Sequence, residues 1–254
     1  MSDFNRDLTG TIPTDRAGIS IDPGLRKFML GVYQKLGLGL VLAAAIAWSV
    51  AYVQPINALV FNWQAGQVVG YTPIGWVVAF APVLLILFSN FFLHNLNPKT
   101  SALLYWSVVS LMGASMGVLF LFYTGAAIFS AFLITAISFG GLSLVGYTTK
   151  KNLSGLGSFM IMGAWGLFIT SIVTFAIPGL FANPMFFFVF NMLGVIVFAG
   201  LIAWKTQDLK MTYYAVRNDG VSMAVATNYG ALNLFISFVN LFRFILSLMG
   251  GSRR

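Results

Sequence analysis

The distribution of acidic residues constrains this chain more than any other feature. Glutamate is absent, and no aspartate occurs between Asp22 and Asp208. Charged residues make up 8% of the chain, whereas a soluble domain carries roughly 25%. Such a chain cannot build a water-facing surface over that interval, but it can build a lipid-facing one. The sequence therefore predicts a polytopic membrane protein.

Seven apolar stretches are long enough to cross a bilayer, which takes about 20 residues as a helix. Because unpaired backbone groups are costly in lipid, each stretch is predicted to be helical, and the fold class all-α. We expect a tail over 1–27, a seven-helix transmembrane domain over 28–250 and a tail over 251–254. The predicted spans are residues 28–53, 74–93, 101–123, 126–147, 157–178, 185–204 and 230–249.

Basic residues indicate the orientation of these spans, because cytoplasmic loops carry an excess of lysine and arginine. The tail and the segments 94–100, 148–156 and 205–229 all contain basic residues, and the alternate loops contain no charge. This alternation predicts a cytoplasmic N-terminus in a bacterial inner membrane. Seven spans then place Arg253 and Arg254 outside. A re-entrant last segment would return them to the cytoplasm, although we favour seven spans.

The composition also argues against several classes of function. The net charge of +8 is scattered near span ends, with no basic run suited to nucleic acid. Cysteine is absent and His94 is the single histidine, so we expect no metal site and no cofactor. A buried serine nucleophile would lack a base, and no G-x-S-x-G motif occurs. We therefore expect no catalytic residues and no enzyme activity, with the lipid bilayer as the main partner.

Polar residues in the last span mark a candidate site. Asn233, Ser237, Asn240 and Ser247 fall on one face of a helix, with Arg243 at its edge. A polar face is unsuited to lipid, which suggests a central helix surrounded by the others. These residues are candidates for an ion path or gate. Hydrogen bonding between helices is the alternative explanation.

A second candidate lies at the end of the sixth span, where Lys205 and Asp208 are three residues apart. That spacing brings them within reach on one helix face. They form either an ordinary interfacial ion pair or a charged gate at the mouth of an internal path.

Two longer motifs resemble a known family. Residues 146–159 read GYTTKKNLSGLGSF and are similar to the GYTTKRDLSGLGSF signature of bacterial Bax inhibitor-1 proteins, the TMBIM family. Residues 230–242 read GALNLFISFVNLF and resemble the final-helix motif GALNLYLDFINLF of that family. The resemblance implies seven helices with the last one central. It also implies a pH-sensitive calcium leak, in which two aspartates share a proton.

The chain departs from the family at both aspartate positions. The sixth-helix motif resembles AWDTQKLK, but residues 203–210 read AWKTQDLK, which puts Lys205 at the aspartate position. Ser237 stands at the aspartate position of the last helix. Two nearby carboxylates titrate as a pair because they repel each other, and this chain lacks both. The resemblance therefore implies a channel-like protein that is non-conducting or altered in selectivity for Ca²⁺ or H⁺.

Two functional hypotheses follow from this sequence. The first is a Bax inhibitor-1-like channel, or a relative of one, with Lys205 as a fixed positive plug. The alternative is a membrane interaction protein that regulates another membrane complex, such as a quality-control protease. Stable capture of a membrane protein partner without ion flux would favour the second.

Overall fold

The computed structural model describes residues 22–92, 97–177 and 179–250, and the side chains of 87–92, 175 and 176 are outside that description. Most of the predicted N-terminal tail, His94 and the C-terminal tail therefore lie outside the described residues. The described helices are α1 Pro23–Tyr52, α2 Gln54–Val60, α3 Pro73–Phe92, α4 Pro98–Ser115, α5 Gly117–Phe122, α6 Gly125–Thr148, α7 Ser154–Ala176, α8 Pro184–Val216 and α9 Gly220–Met249.

Helix starts are encoded by capping residues. Asp22, Asn97 and Asn183 each precede a proline and accept hydrogen bonds from the first N–H groups of α1, α4 and α8. A side-chain oxygen at this position satisfies N–H groups that have no partner within the helix. Proline suits the next position because it needs no N–H there. Asp219 caps α9 in the same way, without a proline.

The chain is an α-helical, polytopic membrane protein. Six described helices are long and apolar enough to cross a membrane, and α3 contributes a shorter apolar helix over Pro73–Ile86. Helix α9 packs against α1, α4, α6 and α8, whereas α3 packs mainly on α4, and α7 on α8. The most apolar window of α9 is 50% buried, the largest share among the six helices.

The prediction of a loop over residues 205–229 is wrong. Helix α8 continues through it to Val216, and α9 already begins at Gly220. The polar composition suggested a loop, but neither glycine nor proline interrupts residues 205–219. The polar residues after the predicted span therefore belong to helix α8. Several of them form hydrogen bonds with other segments at that end of the bundle.

The uncharged loop 54–73 is also structured. It contains α2 and an antiparallel hairpin of β1 Phe61–Gln64 and β2 Gln67–Tyr71, a small exception to the all-α prediction. The predicted third span is divided at Met116 into α4 and α5. We call the end of the bundle with this hairpin, Thr124 and residues 179–183 the neutral end. The basic end holds Asp22, residues 149–153 and the turn 217–219.

Candidate functional site

Lys205 links α8 to α9 through its side chain. Its ammonium donates hydrogen bonds to the Asn233 carbonyl oxygen at 3.2 Å, to Asn233 Oδ1 at 3.4 Å and to Ser237 Oγ at 3.2 Å. Ser237 is fully buried and its hydroxyl donates to the Asn233 carbonyl oxygen at 2.9 Å. The structure thus brings Lys205, Asn233 and Ser237 into one group, which we call the lysine cluster.

Asp208 and Asn233 keep exposed side chains, whereas Lys205 is half-buried. The ammonium of Lys205 turns toward α9, although its charge still interacts with that of Asp208. The lysine cluster therefore has a buried side at Ser237 and an accessible side at Asn233 and Asp208. This arrangement holds one positive charge at the edge of the core.

The residues that follow Lys205 hold the 146–159 motif in place. Gln207 accepts a hydrogen bond from the Leu153 N–H at 2.7 Å and donates to the Lys151 carbonyl oxygen at 2.8 Å. The Lys210 ammonium donates to the Tyr147 carbonyl oxygen at 2.6 Å and lies over the Tyr147 ring. Gln207 and Lys210 were not among the residues predicted from the sequence. Their position in a polar run next to Lys205 is the sequence feature that could have identified them.

Two glycines of that motif allow α8 to approach closely. A Cβ at Gly146 would overlap the Ala203 carbonyl oxygen, and a Cβ at Gly157 would overlap the Trp204 ring. Any larger side chain would push α6 or α7 away from α8. The two family-like motifs at 146–159 and 203–210 therefore form one interlocked unit at the basic end.

The other predicted residues lie nearer the neutral end. Asn240, Arg243 and Ser247 line a cavity of about 350 Å³ together with Asn191 of α8. Arg243 is six residues beyond Ser237, a rise of about 9 Å along the helix. The predicted polar face therefore contributes to two separate places, the lysine cluster and this cavity. Sequence analysis missed Asn191, a single polar residue in an apolar run.

A further polar group joins α1, α4 and α9. The Lys35 ammonium hydrogen-bonds to the Asn228 side-chain oxygen. The Asn228 amide donates to Ser101 Oγ at 2.8 Å and to the Pro98 carbonyl oxygen at 3.3 Å. This group was missed because residue 228 was assigned to a loop. Its groups bond to one another, as expected of polar contacts that hold membrane helices together.

The Asp22 carboxylate ties the start of α1 to the end of α8. The Tyr213 hydroxyl donates to both of its oxygens at 3.2 Å. Burial acts to raise the pKa of Asp22, but hydrogen bonds from Gly24, Leu25 and Tyr213 act together to lower it. Nearby Arg217 adds to the lowering, and the pKa of this carboxyl lies below its usual range. The carboxylate therefore stabilises this contact in its charged form.

Comparison with known proteins identifies the family of the chain. The family described as "Inhibitor of apoptosis-promoting Bax1" matches residues 25–254. An uncharacterized protein of Caulobacter vibrioides is 52% identical, with 100% of both chains covered. The protein RP147 of Rickettsia prowazekii is 34% identical over 97% of this chain and 99% of its own. The inner membrane protein YbhL of Escherichia coli K12 is 32% identical over 91% of this chain and 94% of its own.

The likeness to YbhL and the six long apolar helices support a multi-pass inner membrane protein. The chain belongs to the Bax inhibitor-1 family.

Proposed function

We propose that this protein is a channel-like member of its family in which Lys205 keeps the path closed to Ca²⁺. The observation that carries the proposal is the contact of the Lys205 ammonium with Ser237 Oγ at 3.2 Å. These are the two positions at which the resemblance places the aspartate pair. The proximity of residues 205 and 237 supports the alignment of these positions with the two aspartates of the family. In this chain a lysine and a serine stand there, so one cation takes the place of two acids.

Electrostatics explains why a lysine would close such a path. At about 4 Å and an effective dielectric constant of about 20, two unit charges repel by about 4 kcal/mol, and a divalent ion doubles this figure. Asn233 and Ser237 supply only neutral oxygens around the ammonium. Positions 205 and 237 therefore lack the pair of carboxylates that would attract Ca²⁺ or share a proton near neutral pH, and the single carboxylate nearby, that of Asp208, is exposed.

Reconstitution in liposomes tests the proposal, with Ca²⁺ entry followed by an internal dye between pH 6 and pH 8. We expect no leak through the natural protein and a pH-dependent leak through the double variant Lys205→Asp, Ser237→Asp. Lys150→Asp is the control for the lysine replacement, because it makes the same lysine-to-aspartate change at an exposed position. A pH-gated Ca²⁺ leak in the natural protein would contradict the proposal that Lys205 closes the path.

The topology that this function needs is seven spans with α9 in the centre and the N-terminus in the cytoplasm. It is supported by the packing of α9 against four long helices and by its burial. Because the chain has no cysteine, Ser2→Cys and Ser252→Cys each provide a unique label site. We expect an impermeant maleimide outside the cell to label the second and not the first. Protection of both would indicate the re-entrant arrangement.

The proposed function is non-enzymatic. If neither the natural protein nor the double variant conducts, although both are folded, the channel proposal fails. A membrane protein that co-purifies stably with the chain would then favour the interaction alternative.

A further inference from the structure

A cavity of about 350 Å³ opens between α7, α8 and α9 at the neutral end. Its polar lining includes Arg243, Asn191, Asn240 and Ser247, and its remaining wall is mostly phenylalanine. Asn240, Arg243 and Ser247 are spaced at i, i+3 and i+7, so their side chains share one face of α9. Arg243 therefore lines a cavity with a largely phenylalanine wall, about 9 Å before the end of the helix.

Within the described part of the chain, Arg243 has no carboxylate to pair with. The chain has no acidic residue between Asp22 and Asp208, and these two residues lie toward the basic end with Asp219. Among the described residues, the Arg243 guanidinium makes no hydrogen bond to the protein, and its side chain is exposed. The nearby groups that interact with its charge are the phenols of Tyr71 and Tyr123.

The amides in the cavity do not replace a carboxylate. Asn191 Nδ2 donates to the Phe187 carbonyl oxygen at 2.7 Å, and Asn240 Nδ2 donates to the Ile236 carbonyl oxygen at 2.8 Å. Their side-chain oxygens are thereby left as acceptors that suit the N–H groups of a guanidinium. The amides can orient Arg243, but they leave its charge without a counter-ion.

We infer that this cavity binds the phosphate group of an anionic molecule, with Arg243 as the counter-charge. A guanidinium presents paired N–H donors that match phosphate oxygens, and the Ser247 hydroxyl is a further donor beside it. The phosphate could belong to a phospholipid of the adjacent leaflet or to a free phosphate compound. The short distance to the helix end is compatible with a headgroup, and the phenylalanines are compatible with the apolar part of a lipid.

Thermal unfolding and native mass spectrometry of the delipidated protein test this inference. We expect phosphatidylglycerol to raise the unfolding temperature and remain bound in the spectrum, whereas phosphatidylcholine does so much less. Arg243→Gln should weaken phosphatidylglycerol binding by about tenfold, which corresponds to about 1.4 kcal/mol. Arg243→Lys should retain part of the binding, because it keeps the charge but loses the paired geometry.

Inorganic phosphate, added in detergent without lipid, distinguishes the two sources. Protection by inorganic phosphate that is lost in Arg243→Gln supports a site for a free phosphate compound, and protection by phosphatidylglycerol alone supports a lipid site. Arg217→Gln is the matched control, since it removes an arginine at the opposite end. If the natural protein and Arg243→Gln bind both ligands equally, Arg243 merely extends to water and the inference fails. This test does not involve Ca²⁺ flux, so its outcome is independent of the plug.

Discussion

The lysine cluster and the Arg243 cavity each contain one cationic side chain, but the surroundings of the two side chains differ. Lys205 is surrounded by protein oxygens at 3.2–3.4 Å, and Gln207 and Lys210 beside it also bond to the protein. Arg243 instead lines a cavity in which none of the described lining residues is acidic. The difference indicates that the basic end is built for a fixed arrangement of charge, while the neutral end leaves space for something outside the chain.

The largest expected effect comes from disrupting the close packing of α6 against α8 at the basic end. Gly146→Ala would place a methyl group against the Ala203 carbonyl oxygen, which is backbone and cannot rotate away. We expect destabilisation of about 3 kcal/mol, the upper range for overpacking, or loss of folded protein. Gly140→Ala on the same helix is the control, because nothing lies within 4 Å of its Cβ position. Thermal unfolding in detergent compares them, and equal stability would contradict the close approach.

The same substitution at both cations sharpens the comparison directly. Lys205→Met leaves Ser237 and Asn233 without their charged donor, so we expect a loss of about 2 kcal/mol, as for hydrogen bonds to charged groups. Arg243→Met removes an uncompensated charge and should leave stability in lipid-free detergent unchanged or higher. Denaturant or thermal unfolding gives both values. Losses of equal size would show that the two cations are held in the same way.

A smaller effect is expected for Gln207→Ala, which removes two hydrogen bonds to the 149–153 segment. Water can form hydrogen bonds with the groups that become exposed, which offsets part of the loss. We therefore expect the free energy of unfolding to fall by about 1 kcal/mol. Hydrogen exchange of the Leu153 amide should speed up. Gln34→Ala, an exposed glutamine on α1, should leave that amide unchanged. Unaltered exchange in Gln207→Ala would argue against the hydrogen bonds that join Gln207 to Lys151 and Leu153.

The smallest effect is a pH dependence at the basic end. The pKa of Asp22 is lowered in the folded protein, so its contribution to stability is complete above the usual aspartate range of about 4. It is lost as the pH falls through the folded pKa. Asp22→Asn should therefore lower stability near pH 7 and reduce its change on acidification. Unfolding temperatures between pH 7 and pH 3 test this, and parallel curves for the two proteins would contradict it.

The sequence predicted the class of fold well because membrane insertion depends on local composition. A stretch of 20 apolar residues has few options other than a helix in lipid, and capping residues such as Asn183 mark where several helices begin. Residues 205–229 were harder, because polar side chains are compatible with both a loop and a helix beyond the bilayer. The hairpin at 61–71 had too little periodicity to be recognised.

The residues alone indicated that this chain crosses a membrane, that Lys205 and Ser237 stand where the resemblance places an acid pair, and that Arg243 has no acidic residue near it in sequence. The tertiary structure decided which groups the two cations face. Lys205 reaches Ser237 because α8 and α9 pack side by side after the 217–219 turn. Arg243 and Asn191 line one cavity because the same two helices border it. Such contacts depend on how helices pack over long sequence separations, which a pattern along one chain does not contain.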